Sequence, residues 1–312
     1  MVPPELRIST QGKYMPLPAF IHDLDAFMEP QDACSAACRR PREFSRNRFV
    51  YTVISARSRG LSIGVNLNPD AQCNFNCVYC EVDRRKPAEA RALNVSVMIG
   101  ELRQALALVC SGQIRSHPRF AHLPPDLTEL RQVTLSGDGE PTLCPQFAEA
   151  VRAIVQLRAL QDFPDFKLAL LTNATGLDLK QVEQGLELFG PGDEIWAKLD
   201  AGSPDYFERV NLPDCSLAKV MGNILQVARN RPVVIQSLFP RLDGEGPSAE
   251  EIERYVGRLQ ELRAGGAMIS LVQIYSATRP MTNPRCGHLP LKSLYRIARL
   301  VKQQTGLKAE VF

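Results

Sequence analysis

Between residues 61 and 304, short apolar runs alternate with amphipathic stretches about every 40 residues, the rhythm that parallel βα units produce. Six runs read as strands: Leu61–Leu67, Gln132–Ser136, Lys167–Thr172, Glu194–Leu199, Pro232–Leu238 and Ile269–Tyr275. Each is β-branched or leucine-rich and bounded by turn residues. Helices follow near Val95–Val109, Gln146–Leu160, Leu179–Leu188, Ser216–Arg229, Ala249–Leu262 and Leu291–Gln304, where Leu, Ile, Val and Ala recur at spacings of three and four.

The first strand alternates strictly. Leu61, Ile63, Val65 and Leu67 share one face; Ser62, Gly64, Asn66 and Asn68 share the other. In an α/β barrel the apolar face packs outward on helices, so the polar face lines the lumen. The fourth strand repeats this, with Ile195, Ala197 and Leu199 outward and Trp196, Lys198 and Asp200 inward. The expected fold is therefore α/β, a partial (β/α)6 TIM-type barrel of parallel strands over residues 61–312, with a polar site inside it. A doubly wound sheet is the alternative, but it would give more continuously apolar strands. Residues 1–60 fall outside the rhythm and read as an N-terminal extension with one strand at Phe49–Ser55. The run Asp243-Gly244-Glu245-Gly246-Pro247 reads as a flexible loop after the fifth strand.

Composition changes this picture little: 312 residues, 45% hydrophobic and 23% charged, suit a globular chain with a large core. No apolar run approaches the roughly 18–20 residues of a membrane span, and the start, Met1-Val2-Pro3-Pro4-Glu5, lacks a signal-peptide pattern. A cytoplasmic protein without a membrane contact is expected. The net charge of +3 does not itself indicate a nucleic-acid binder. Arginines 39, 40, 42, 46, 48, 57 and 59 nevertheless cluster, either as a solvated face or as an anion or RNA contact.

The nine cysteines matter more. Cys34 and Cys38 form one close pair; Cys73, Cys77 and Cys80 form a tight triplet just after the first strand; Cys110, Cys144, Cys215 and Cys286 are isolated and read as small buried apolar residues. Three thiolates spaced by three and then two residues in one loop suit iron–sulfur or zinc, and zinc would want a fourth ligand. Cys34 and Cys38 could be half of an auxiliary cluster completed by Cys286 and His288, or unligated thiols. The other chemistry-bearing segments stand at strand C-terminal ends, where α/β barrels build their sites. They are Ser136-Gly137-Asp138-Gly139-Glu140-Pro141, Thr172-Asn173-Ala174-Thr175-Gly176 and Lys198-Leu199-Asp200. Lys198 and Asp200 could meet a ligand or form a structural ion pair.

Cys73-Asn-Phe-Asn-Cys77-Val-Tyr79-Cys80 resembles the Cys-x3-Cys-x-aromatic-Cys loop of the radical S-adenosylmethionine (SAM) superfamily. The resemblance implies that Cys73, Cys77 and Cys80 hold a [4Fe-4S] cluster whose fourth iron is chelated by SAM, with Tyr79 near the adenine. It also implies that Asp138, Gly139 and Glu140 stand where the family has Gly-Gly-Glu, with Glu140 receiving the SAM ammonium and Asp138 departing from the usual glycine. Thr172 and Asn173 match the family's Thr-Asn-Gly segment, Lys198 and Asp200 would face the SAM carboxylate and ribose, and Gln236 would be a further cofactor contact. Asn66, Asn68, Gln273, Tyr275 and Arg279 are the substrate-side candidates. Asn66-Leu67-Asn68, Cys80-Glu81-Val82 and Ser136 through Leu143 resemble more narrowly the branch related to wyosine base synthases, which modify tRNA. The activity implied by the resemblance is that of an oxidoreductase that cleaves SAM to a 5′-deoxyadenosyl radical with an electron from a flavodoxin or ferredoxin. Its substrate would be a tRNA base or a small metabolite. The alternatives are a non-catalytic iron–sulfur or zinc protein, and an activating enzyme acting on a protein partner.

Overall fold

A computed structural model describes residues 47–84, 92–277 and 281–312, all within one compact unit, Arg40–Phe312. Its main sheet has eight strands in the order β1 (Val50–Ser55), β2 (Gly60–Val65), β3 (Leu130–Leu135), β4 (Lys167–Thr172), β5 (Glu194–Lys198), β6 (Val233–Leu238), β8 (Ile269–Tyr275) and β10 (Ala309–Val311). From β2 to β10 every neighbouring pair is parallel, and only β1 runs antiparallel, as a hairpin on β2. The sheet curls into a half-barrel. Helices α1 (Val95–Cys110), α2 (Phe147–Ala159), α3 (Lys180–Leu186), α4 (Pro204–Asn211), α5 (Leu217–Ala228), α6 (Ala249–Ala264) and α7 (Leu291–Thr305) complete the crossovers.

Local chemistry sets the helix starts. Asn94, Ser203, Ser216 and Ser248 each accept from a backbone N–H of the first turn, satisfying donors that a helix leaves unpaired. Pro204 at the first position of α4 loses no hydrogen bond there. α7 stops at Gly306, whose φ of +69° an L-residue adopts only at a cost.

All six residues of β2 are buried, as both faces of a covered parallel strand must be. Its outward set, Leu61, Ile63 and Val65, joins the large helix-covered core, while the lumen floor is a separate cluster of Ala169, Trp196 and Val234 with Leu171 and Leu271 packed on it. The lumen beside β2 is filled from β1. Tyr51 lies opposite Gly64, and its hydroxyl hydrogen-bonds Ser136 Oγ at 2.9 Å. A Cβ on Gly64 would lie 2.1 Å from the Tyr51 ring, so the glycine makes room for the tyrosine. Below the helices, Asp193 accepts from both Arg158 guanidinium nitrogens at 2.7 and 2.9 Å and from the Leu168 amide at 2.8 Å, tying α2 to β4.

Several elements differ from the sequence expectation. α4, β10 and the two-stranded ribbon of β7 (Pro240–Leu242) with β9 (Cys286–His288) are additions. The 243–247 segment is a pinned turn rather than a free loop: Asp243 and Gly244 have positive φ, Leu242 bridges Glu245, and Asp243 pairs with Arg285. Of the isolated cysteines, Cys144 and Cys286 are buried, but Cys110 is exposed at the end of α1 and Cys215 is half-buried. The residue type is small enough to suit either setting, so sequence alone misplaced Cys110. No helix among the described residues is long and apolar enough to cross a membrane.

Candidate active site

At the C-terminal ends of β2 to β5 lies a cavity of about 160 Å³ lined by Cys73, Cys77, Cys80, Tyr79, Arg84, Asp138, Gly139, Glu140, Thr172, Asn173 and Lys198, among others. Three loops meet there because backbone contacts leave little choice. Gly139 lies against the cysteine loop so closely that a Cβ would stand 2.0 Å from the Gln72 carbonyl oxygen, and the next amide, of Glu140, donates to that same oxygen at 2.8 Å. Asn66, at the end of β2, donates to Asp138 Oδ2 at 3.0 Å and accepts from the Asp138 amide at 3.1 Å.

The cysteine loop rests on α4. Val78 N–H donates to the Val210 carbonyl at 2.9 Å, Asn76 N–H to the Asn211 carbonyl at 3.1 Å, and Phe75 packs edge-on against Phe207 at 5.4 Å. Each of the three sulfurs has at least one N–H directed at it: Phe75 N (3.4 Å) and Asn173 Nδ2 (4.0 Å) at Cys73, Asn211 Nδ2 (3.5 Å) at Cys77, and Arg84 Nη2 (3.7 Å) at Cys80. Burial pushes the Cys73 thiol up to about 12 and, with the Asp200 charge, the Cys77 thiol up to about 11. Cys73 and Cys77 therefore favour the thiol unless a cationic centre takes the proton's place, while donors aimed at sulfur match an anionic thiolate or sulfide far better than a neutral thiol. The donor set fits an iron–sulfur cluster. Among the described residues no three His, Cys, Asp or Glu side chains converge on a point that would hold a single metal ion.

Glu140 sits beside the cysteines, almost fully buried. Its Oε1 accepts from Thr142 N (3.1 Å), Thr142 Oγ1 (2.6 Å) and Thr172 Oγ1 (2.5 Å), and its Oε2 from Asn173 N (2.7 Å). Burial pushes its carboxyl above the usual range although those four donors oppose the shift. Oε2, with one donor, retains acceptor capacity toward the cavity, and a cation there would complete it. Ala174 stands where the family segment has glycine and carries a φ of +67°; Asn223 holds that turn through the Ala174 and Thr175 carbonyls.

On the other wall, Lys198 Nζ lies 3.3 Å from Asp200 Oδ1, 3.2 Å from the Tyr275 hydroxyl and 5.0 Å from the centre of the Tyr79 ring. Burial alone would lower the Lys198 ammonium, but Asp200 holds it above the ordinary lysine value. Asp200 is saturated, accepting from Leu238 N (2.8 Å), Asn211 Nδ2 (2.9 Å) and the Tyr79 hydroxyl. The structural ion pair is thus present, and Lys198 still reaches the cavity.

Of the sequence candidates, Cys73, Cys77, Cys80, Tyr79, Asp138, Gly139, Glu140, Thr172, Asn173 and Lys198 line one cavity. Asp200 lies beneath it, and Gln236 is fully buried, donating to Gln273 at 2.6 Å. Asn66 and Asn68 are buried at the loop junction. Tyr275 is half-buried, with the guanidinium of the half-buried Arg57 4.3 Å over its ring. Arg59 instead pairs with Glu310 of β10 at 2.8 Å. Cys34, Cys38 and Arg279 lie outside the described residues, as do arginines 39, 40, 42 and 46. Cys286 is buried in the β7–β9 ribbon, and His288 is exposed. Sequence reasoning missed Arg84 and Asn211. Ser203-Pro204-Asp205, a cap followed by proline and acid, was the signal for the helix that delivers Asn211.

No family model matches the chain. A UPF0026 protein of Helicobacter pylori is 25% identical over 228 residues, 72% of this chain and 66% of that relative, just under two thirds. Streptococcus suis SuiB bound to S-adenosylmethionine is similar in structure with a TM-score of 0.56 at 14% identity, covering 82% of this chain and 52% of SuiB. TYW1 with a lysine–pyruvate adduct bound gives 0.50 at 14% identity, covering 92% of this chain and 90% of TYW1. The fold is the partial barrel of the radical SAM enzymes. In this chain the cysteine loop follows β2, the first strand of the parallel set. The chain spans about half of SuiB, so the likeness concerns the barrel.

Proposed function

We propose that this chain is a radical SAM enzyme. Cys73, Cys77 and Cys80 would hold a [4Fe-4S] cluster, and SAM would occupy the adjoining cavity with its ammonium toward Glu140 Oε2 and its carboxylate toward Lys198. Bound together, cluster and SAM would supply a 5′-deoxyadenosyl radical for hydrogen abstraction from substrate, with the electron coming from a low-potential flavodoxin or ferredoxin. The observation that carries this reading is the set of three cysteine sulfurs on one cavity, each with an N–H donor, beside a buried carboxylate and a buried ammonium.

The protein's own groups have separable tasks. Glu140 anchors a cation and joins the β3 and β4 loops; Lys198, held charged by Asp200, anchors an anion; Tyr79 and Tyr275 flank that ammonium and limit water around it. The substrate class divides between an RNA base and a small metabolite. RNA that copurifies, is released at high salt and is lost on neutralising the arginine cluster would select the first.

The deciding experiment is anaerobic reconstitution with dithionite and SAM, measuring iron per chain and 5′-deoxyadenosine beside a Cys77→Ala control. Roughly four irons and deoxyadenosine from wild type alone are expected. Protein that holds four irons yet makes none, or that binds zinc alone, would overturn the reading.

A further inference from the structure

Among the described residues, one side-chain donor to the three sulfurs is charged, and it comes from outside the cysteine motif. Arg84, four residues after Cys80, is anchored through Nη1 to the Ala71 carbonyl and points Nη2 at Cys80 Sγ, 3.7 Å away. Its side chain lines the cavity, and its Nε is buried with no hydrogen-bond partner among the described residues. Fixing a half-buried guanidinium against a neutral thiol gains little; against a cluster whose thiolate and sulfide atoms gain negative charge on reduction it is favourable. Asn211 and Asn173, by contrast, bring neutral amides to Cys77 and Cys73.

We infer that Arg84 is a positioning residue that raises the reduction potential of the cluster, by a charge-assisted N–H···S contact at Cys80 that strengthens when the cluster accepts its electron. The inference rests on the cluster reading above. The sign follows from electrostatics: a fixed positive charge and hydrogen bonds to sulfur stabilise the more negative, reduced state. Arg84 would thereby set how strong a donor the site needs, while the neutral donors at Cys73 and Cys77 orient those ligands.

The test is an EPR-monitored potentiometric titration of reconstituted wild type, R84Q and R84K, with iron content and thermal melting recorded for each. R84Q, keeping four irons, should show about a tenfold lower reduced-to-oxidised ratio at a fixed potential, equivalent to a midpoint about 59 mV more negative for one electron. R84K, which keeps the charge without the fork, should fall between R84Q and wild type. An R84Q midpoint equal to wild type at equal iron content overturns the inference and leaves the cluster reading standing. A wild type that builds no [4Fe-4S] cluster overturns both. Should R84Q lose its iron, wild type labelled with 15N at the arginine guanidinium decides: an 15N coupling to the reduced cluster in pulsed EPR supports the contact, and its absence overturns it.

Discussion

One nitrogen of Asn211 reaches three acceptors from segments far apart in sequence: Nδ2 is 3.5 Å from Cys77 Sγ, 3.1 Å from the Tyr79 hydroxyl and 2.9 Å from Asp200 Oδ2. The carboxamide joins the cysteine loop to the end of β5, so Cys77 and the charged pair that faces the cavity share one support. Its backbone carbonyl accepts from Asn76, and Leu212 beyond it has a φ of +44°, which turns the chain out of α4.

Asn211→Ala should therefore act on both sides of the cavity. Removing the donor leaves the Asp200 carboxylate and the Tyr79 hydroxyl short of a partner, at a cost of about 1–3 kcal/mol. Denaturant unfolding of the apo protein reads that loss, and iron per chain after reconstitution should drop below the wild-type value. A variant with unchanged stability and full iron would show that the carboxamide is a bystander.

Gly139→Ala tests the seam between the two loops. Its Cβ would stand 2.0 Å from the Gln72 carbonyl oxygen, a backbone atom that cannot swing aside. The loops must separate, which should cost about 1–3 kcal/mol and lower iron retention. Wild-type melting and wild-type iron content would refute a tight seam.

Gly64 and Tyr51 should be coupled. Gly64→Ala places a methyl 2.1 Å from the tyrosine ring, so it should destabilise strongly alone and much less in a Tyr51→Ala background. Contacting residues show interaction energies of about 0.5–3 kcal/mol in such cycles. Additive losses would mean that the ring moves aside without strain.

Asp193 carries the expected pH dependence. Burial alone would raise its carboxyl, but the Arg158 fork and the Leu168 and Gly190 amides hold it below the usual range. A carboxylate with a depressed folded value stabilises fully above its unfolded value of about 3.9, and that contribution is lost as pH falls through the folded value. Asp193→Asn breaks a buried pair and should cost about 3–5 kcal/mol near neutrality. Its deficit against wild type should narrow below about pH 4 in urea titrations; a deficit constant from pH 7 to pH 3 would contradict the assignment.

How much of this was legible in advance differs by element. The six parallel strands, and the in-and-out alternation of Leu61–Asn66 and Ile195–Asp200, follow from local pattern because a covered strand sorts side chains by face. The cysteine spacing pointed to a soft-metal ligand set, iron–sulfur or zinc, because three thiols in eight residues have few other uses. β10 escaped notice because three residues carry no usable periodicity and are fixed by pairing with β8. α4 is only eight residues long, too short for its pattern to stand out.

By itself, then, the sequence determined the βα rhythm, the outward faces of the strands, and which residue types stand at the strand ends; these are local properties, carried by period and spacing. Only the tertiary structure decided that Asp200 is saturated by Lys198, Tyr79 and Asn211, that Glu140 joins two loops, that Arg57 lies over Tyr275, and that Arg84 and Asn211 reach the cysteine sulfurs. Most of those contacts join residues dozens to more than two hundred positions apart, and the curl of one sheet, rather than any local preference, brings them within a few ångströms.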